Sequence, residues 1–315
     1  MTTTLEAPQK RRAGKQRPRT SRGDTRAGST ALKSAYPFGF YLPAGVVYAT
    51  LFLVPTLAAF FFSLTRWTLF EYEFIGLANF EQFVSEAALV KGLTNTLIYA
   101  VVTSGMKVVL GLLLAVLLTG PIVGRGFLRS LVFFPVLVST IGVGITFTVL
   151  MHPSEGLINS SLRALGVDGP AWLTDPAWAL LSVAFVDVWK GVGLATVIYI
   201  AGVVSIPREY YEAAEVDGAG PLARFRNITL PLARPATVTV VILSLIGGLR
   251  TFDLIWTMTG GGPGFTSDVI ASVIYKQYQA GFYGLSTAGN VVLFLLVSAI
   301  VVPLFWFLNR KEGEL

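Results

Sequence analysis

Cysteine is absent from the 315 residues, which removes a disulfide scaffold, a thiolate metal site and a thiol nucleophile together. A single histidine, His152, leaves no set of imidazoles to hold a metal ion. Charged residues make up only 13% of the chain, about half the share of a soluble globular domain. Neither a G-x-x-x-x-G-K-[ST] phosphate loop nor a G-x-S-x-G nucleophile elbow occurs. A collagen-like glycine period is also missing. What is abundant is apolar: 53% of residues are hydrophobic and mean hydropathy is +0.66. That content is too high for a disordered chain, and the class it leaves is an integral membrane protein.

The net charge of +6 raises nucleic-acid binding, and its location removes it. Residues 1–37 carry nine Lys/Arg against Glu6 and Asp24, whereas the remaining residues carry 15 bases and 16 acids. The basicity belongs to a tail, residues 1–36, read as disordered, solvated and able to touch anionic lipid headgroups. The apolar run after it is too long for a signal-peptide core, so an uncleaved first span is expected.

Six runs reach the roughly 20 apolar residues that cross a bilayer. They are 38–64, 93–118, 128–150, 178–204, 236–256 and 291–308. Each is continuous and lacks a period of two, which favours helices over a barrel. The expected fold is therefore all-α, a six-span domain over residues 37–311 followed by a short tail, 312–315. Orientation follows from Lys/Arg outside the spans. With the N-terminus inside, the cytoplasmic pieces hold 17 and the external pieces hold Arg66, Lys91, Arg163 and Lys276. Both termini are then cytoplasmic, and residues 65–92 and 151–176 are external connectors.

The cytoplasmic loop of residues 206–231 reads as two short helices. Pro207 suits a first turn, with Glu209 favourable beside the helix N-terminus. Gly218 and Gly220 stop the first helix, and Pro221 opens the second. Tyr210, Ala213 and Ala214 share a face on which another surface can approach closely, flanked by Glu212, Glu215, Arg224 and Arg226. Physics alone leaves two readings: a solvated connector, or a knob for a groove on a cytoplasmic partner.

Resemblance favours the knob. Glu212-Ala213-Ala214, then Gly218, Ile228 and Leu230-Pro231 at this spacing resemble the EAA loop of binding-protein-dependent ABC transporter permeases at every position. A second segment runs Thr251-Phe252-Asp253-Leu254-Ile255, then Trp256 to Thr259, and ends in Gly260-Gly261-Gly262-Pro263-Gly264. It is similar to one in the carbohydrate-uptake, MalF-like members of that family, as are Asp187-Val188-Trp189-Lys190-Gly191 and Ile206-Pro207. The resemblance covers residues 38 to 315 and omits the basic tail. It implies a type I ABC importer permease fold in a bacterial plasma membrane. The implied partners are a MalG-like second permease, two cytoplasmic ATP-binding subunits and an extracellular solute-binding protein. The substrate it implies is a sugar or oligosaccharide. ATP and Mg would be held by the ATP-binding subunits, so this chain is not itself an enzyme. Glu212, Ala213, Ala214, Gly218, Ile228, Leu230 and Pro231 become the ATPase-coupling residues. Lys190, Gly191, Leu194, Ser244, Gly248 and Thr251 become the substrate path.

Lys107, Asp187, Lys190 and Arg250 lie in or near the apolar runs, where each charge costs roughly 2.5–3.5 kcal/mol at the membrane centre, so they should face protein or a cavity. Asp187 with Lys190, and Arg250 with Asp253, are spaced to pair along one helix face. Such pairs either fix helix packing or form a polar wall of the path, where Trp189, Phe252 and Trp256 offer faces for sugar rings. Other readings stay open: an ABC permease for glycerol phosphate or a polyamine, or a secondary transporter. The last should show internal repeats with paired broken helices, and no clear repeat is present.

Overall fold

The computed structural model describes residues 38–68 and 70–310. The basic tail and residues 312–315 lie outside the described residues. The chain divides into two compact units at Phe52/Leu53. In the first, the described residues form a turn of 3-10 helix (Phe38–Phe40) and the start of helix α1, whose full extent is Leu42–Phe62.

The second unit continues through an antiparallel hairpin, β1 (Thr65–Trp67) and β2 (Tyr72–Phe74), with Arg66 opposite Glu73. Then follow α2 (Ala78–Ser85), α3 (Ala87–Thr119), α4 (Arg125–Leu137), α5 (Thr140–Leu150) and α6 (Leu157–Ala164). Next are α7 (Ala179–Val204), α8 (Arg208–Val216), α9 (Pro221–Leu232) and α10 (Arg234–Leu249). The last are α11 (Asp253–Met258), α12 (Ile270–Gln279) and α13 (Tyr283–Asn309).

Among the described residues, four helices (α1, α3, α7 and α13) are long and apolar enough to cross a membrane. The number rises to six if the bent pairs α4–α5 and α9–α10 each count as one span. The run 128–150 therefore differs from the single straight helix its length predicts. Its two halves meet at 97°. Pro135 removes one backbone donor, and Val138 is extended at ψ 141°, so the helix stops before Thr140 restarts it. With 13 and 11 residues the halves reach about 20 and 17 Å, each short of a 30 Å hydrocarbon core. The run 236–256 is also interrupted: α10 ends at Leu249, and Phe252, outside helical angles, precedes α11.

Helix α3 is the central post, against which α7 and α10 pack. Its best apolar window is 39% buried, against 6% for α13, so α3 faces protein where α13 faces outward. Packing is close where side chains are small. A Cβ on Gly248 of α10 would lie 2.7 Å from Ala100 Cα of α3, so only glycine allows that approach. The core lies between α3, α7 and α11, around Tyr99, Val183, Val186, Leu254, Ile255 and Met258.

Candidate coupling surface and translocation path

Helix α8 begins after Pro207, which is its N-cap, and carries Glu209 in its first turn. It ends at Val216 because Gly218 adopts φ +76°. The reversal is fixed by the Ala219 amide donating to Ala214 O at 2.8 Å, the long-range bond of a glycine C-cap. Pro221 then starts α9, where its missing N–H costs nothing. Two contacts tie the hairpin together. Glu215 pairs with Arg224, and the hydroxyls of Tyr211 and Thr229 hydrogen-bond at 3.0 Å. Thr229 is buried in α9, so the second contact fastens α8 to α9 ahead of the bend into α10.

The rest of the hairpin's face is open. Glu212 and Ala213 are exposed, Ala214 is half-buried, and Tyr210, Val216 and Leu222 are exposed at 55%, 89% and 77%. Ile228 is half-buried, and Leu230 and Pro231 are exposed.

Within the bundle, the polar centre is an ion pair that joins two helices. Lys107 Nζ of α3 donates to Asp187 Oδ2 of α7 at 2.8 Å, with side chains 9% and 20% exposed. The local pairing of Asp187 with Lys190 is thus replaced by a cross-helix one. Lys190 is half-buried without an ion pair among the described residues, and the same holds for the exposed Arg250 and Asp253. The reason is geometric. A Cβ at Gly191 would lie 2.7 Å from Lys107 Cε, so the missing side chain is the channel through which Lys107 reaches the acid. The buried Tyr99 hydroxyl has no hydrogen-bond partner among the described residues.

A cavity of about 200 Å³ lies beside this pair, lined by Lys107, Gly191, Leu194 and Ser244 among others. Three of the six path residues expected from the sequence, Gly191, Leu194 and Ser244, therefore share one cavity. Lys190, Gly248 and Thr251 do not line it: Gly248 is buried in the α3–α10 contact, and Thr251 is half-buried after α10. Lys107 is the residue that sequence reasoning left out of the site. Its only sequence signal was a lysine inside an apolar run, because its partner lies 80 positions away.

After α11, residues 259–269 form a braced loop. Asp268, fully buried, accepts from Ser272 at 2.7 Å and from Lys276 at 2.7 and 2.9 Å. Asn95 of α3 donates to the carbonyls of Thr266 and Asp268 at 2.9 and 2.8 Å. The glycine-rich segment is thus an ordered link between α11 and α12.

Comparison with known proteins bears on these features. Residues 107–311 match the family described as binding-protein-dependent transport system inner membrane component. The chain is 34% identical over 284 residues to a probable ABC transporter permease, YurN, of Bacillus subtilis, covering 88% of this chain and 97% of that one. It is 35% identical over 263 residues to the trehalose/maltose transport system permease protein MalF of Thermococcus litoralis, covering 83% and 89%. Among solved structures, a bacterial ABC transporter involved in import of the acidic polysaccharide alginate aligns with TM-score 0.77 at 24% identity. That alignment covers 87% of this chain and 94% of the other, and it shows a shared fold.

Proposed function

The chain belongs to the binding-protein-dependent transport system inner membrane component family, and from that premise we propose that it is one half of the translocation path of a carbohydrate ABC importer. In this reading it has six spans with both termini in the cytoplasm of a bacterial cell and sits in the plasma membrane. It pairs with a second, MalG-like permease, two ATP-binding subunits that hold ATP and Mg, and an extracellular solute-binding protein. The substrate is a sugar or oligosaccharide, in line with the trehalose/maltose permease it resembles.

The observation that carries the proposal is the α8–α9 hairpin. Its exposed face of Tyr210, Glu212, Ala213 and Val216 is the ATPase-docking surface. Movement of that surface reaches the membrane through the Glu215–Arg224 pair and the Tyr211–Thr229 bond, which bind α8 to α9, the helix that leads into α10. Helix α10 carries Ser244 into the cavity beside Lys107 and Asp187, so a push on α8 repositions a wall of the path. The test is ATP-driven uptake of labelled trehalose and maltose into proteoliposomes holding the four-subunit complex and its binding protein. Uptake that needs both ATP and this chain supports the proposal. A complex that imports neither sugar while moving a solute that is not a carbohydrate would remove the carbohydrate assignment.

A further inference from the structure

Six aromatic rings stand in series along one side of the second unit. Trp67 of β1 lies 5.7 Å from Tyr283, and Tyr283 lies 5.4 Å from Tyr278. Tyr278 stacks on Tyr275 at 6.5 Å. Tyr275 meets Trp256 edge-on at 4.8 Å, and Trp256 stacks on Phe252 at 5.7 Å. The series draws on the hairpin, α11, α12 and α13, so it is assembled by the fold and has no helical period of its own. One end is the β-hairpin after α1. The other is Phe252, next to Thr251 at the break after α10.

The row borders open space. A cavity of about 300 Å³ is lined by Phe252, Tyr275 and Tyr278 together with Ser286 and Asn290. Tyr275 and Tyr278 are 36% and 55% exposed. Ser286 is spent on Ile274 O at 3.0 Å, and the Asn290 amide nitrogen donates to Ser286 O at 3.3 Å. The Asn290 side-chain oxygen and the hydroxyls of Tyr275, Tyr278 and Tyr283 have no partner among the described residues. A face turned only to lipid has no use for four open hydrogen-bonding groups beside flat rings, since lipid tails cannot satisfy them. A pyranose presents an apolar C–H face and an equatorial rim of hydroxyls. Flat rings with polar atoms at their edges match both parts.

We propose that this row is an outer carbohydrate subsite, on which successive sugar rings stack on their way from the hairpin rim to the cavity beside Lys107. The proposal rests on the carbohydrate reading above and adds the residues and the mode of contact. Tyr275 and Tyr278 are its central rings, Trp256 hands the sugar to Phe252, and Asn290 accepts from a sugar hydroxyl. Longer sugars cover more rings and gain most.

The test uses the assembled complex reconstituted without its binding protein, with maltose and maltotriose as probes. Saturation transfer from aromatic protons to sugar protons reports stacking directly, and ATP-driven uptake with the binding protein present is measured in parallel. The wild-type complex should show transfer, stronger for maltotriose. Tyr275→Ala with Tyr278→Ala should weaken maltotriose binding by about ten-fold, the loss of two modest aromatic contacts. Tyr275→Phe with Tyr278→Phe should keep the transfer, because the rings remain. Equal binding by the alanine and wild-type complexes, with sugar uptake intact, would overturn the subsite alone. Loss of the second permease from the alanine complex would also overturn it, by making the row a subunit interface. A wild-type complex that takes up no sugar would instead fail the functional reading, and the subsite's carbohydrate assignment with it.

Discussion

Gly218 offers a perturbation whose cost can be separated into backbone and contact. It adopts φ +76°, and a Cβ built there meets no atom within 4 Å. A substitution therefore costs conformational strain and nothing from crowding inside this chain. For alanine the left-handed conformation costs about 1–2 kcal/mol, and valine, branched at Cβ, costs more. Asparagine visits that region readily and should cost little. A hairpin strained by 1–2 kcal/mol holds its docking conformation roughly 5–30-fold less often, and apparent affinity for the ATP-binding subunits falls by the same factor. The ordering expected for copurification of the ATP-binding subunits and for ATP-driven uptake is Gly, Asn, Ala, then Val. Membrane insertion should be equal in all four. Two results would refute the reasoning. Gly218→Val with normal uptake would show that the hairpin need not hold this shape. Gly218→Asn as damaging as Gly218→Val would show that a partner fills the empty space beside Gly218, so that size and not φ decides.

The Lys107–Asp187 pair should behave as a buried pair: Lys107→Met alone should lower stability by about 3–5 kcal/mol, and adding Asp187→Leu should recover most of it, as read from thermal unfolding in detergent. Lys190→Ala, at a residue with no ion pair among the described residues, should shift that stability by no more than about 0.5 kcal/mol. Gly248→Ala should destabilise by about 1–3 kcal/mol through its clash with Ala100, whereas Ser244→Leu should leave stability near wild type and depress uptake by filling the 200 Å³ cavity. If both substitutions lowered uptake without touching stability, Gly248 would belong to the path wall and not to the helix contact.

The parts of this molecule that local rules govern were legible in its sequence. The long helices follow from unbroken apolar runs, and the stop at Gly218 with the restart at Pro221 follows from glycine and proline geometry. What was hidden depends on distance or on marginal signals. The bend between α4 and α5 rests on one proline and the extended Val138 inside a run whose average hydropathy reads as a straight span. The hairpin strands have three residues each, too few to show an alternating pattern. Lys107 finds Asp187 across two helices, whereas spacing alone offered Lys190 at hydrogen-bonding distance along the same helix. The aromatic row joins residues from four elements, so no window of sequence contains it.

The central claim is that the exposed face of α8 docks on a cytoplasmic ATPase. The native chain has no cysteine, so Ala213→Cys introduces a unique thiol on that face. A short thiol-directed photocrosslinker attached there, in membranes containing the whole complex, should join this chain to the ATP-binding subunit, with a yield that changes when ATP is added. The same thiol should resist a membrane-impermeant maleimide applied to intact cells. Labelling from outside the cell, or an absence of crosslinks to the ATP-binding subunit in complexes that still transport, would contradict the account.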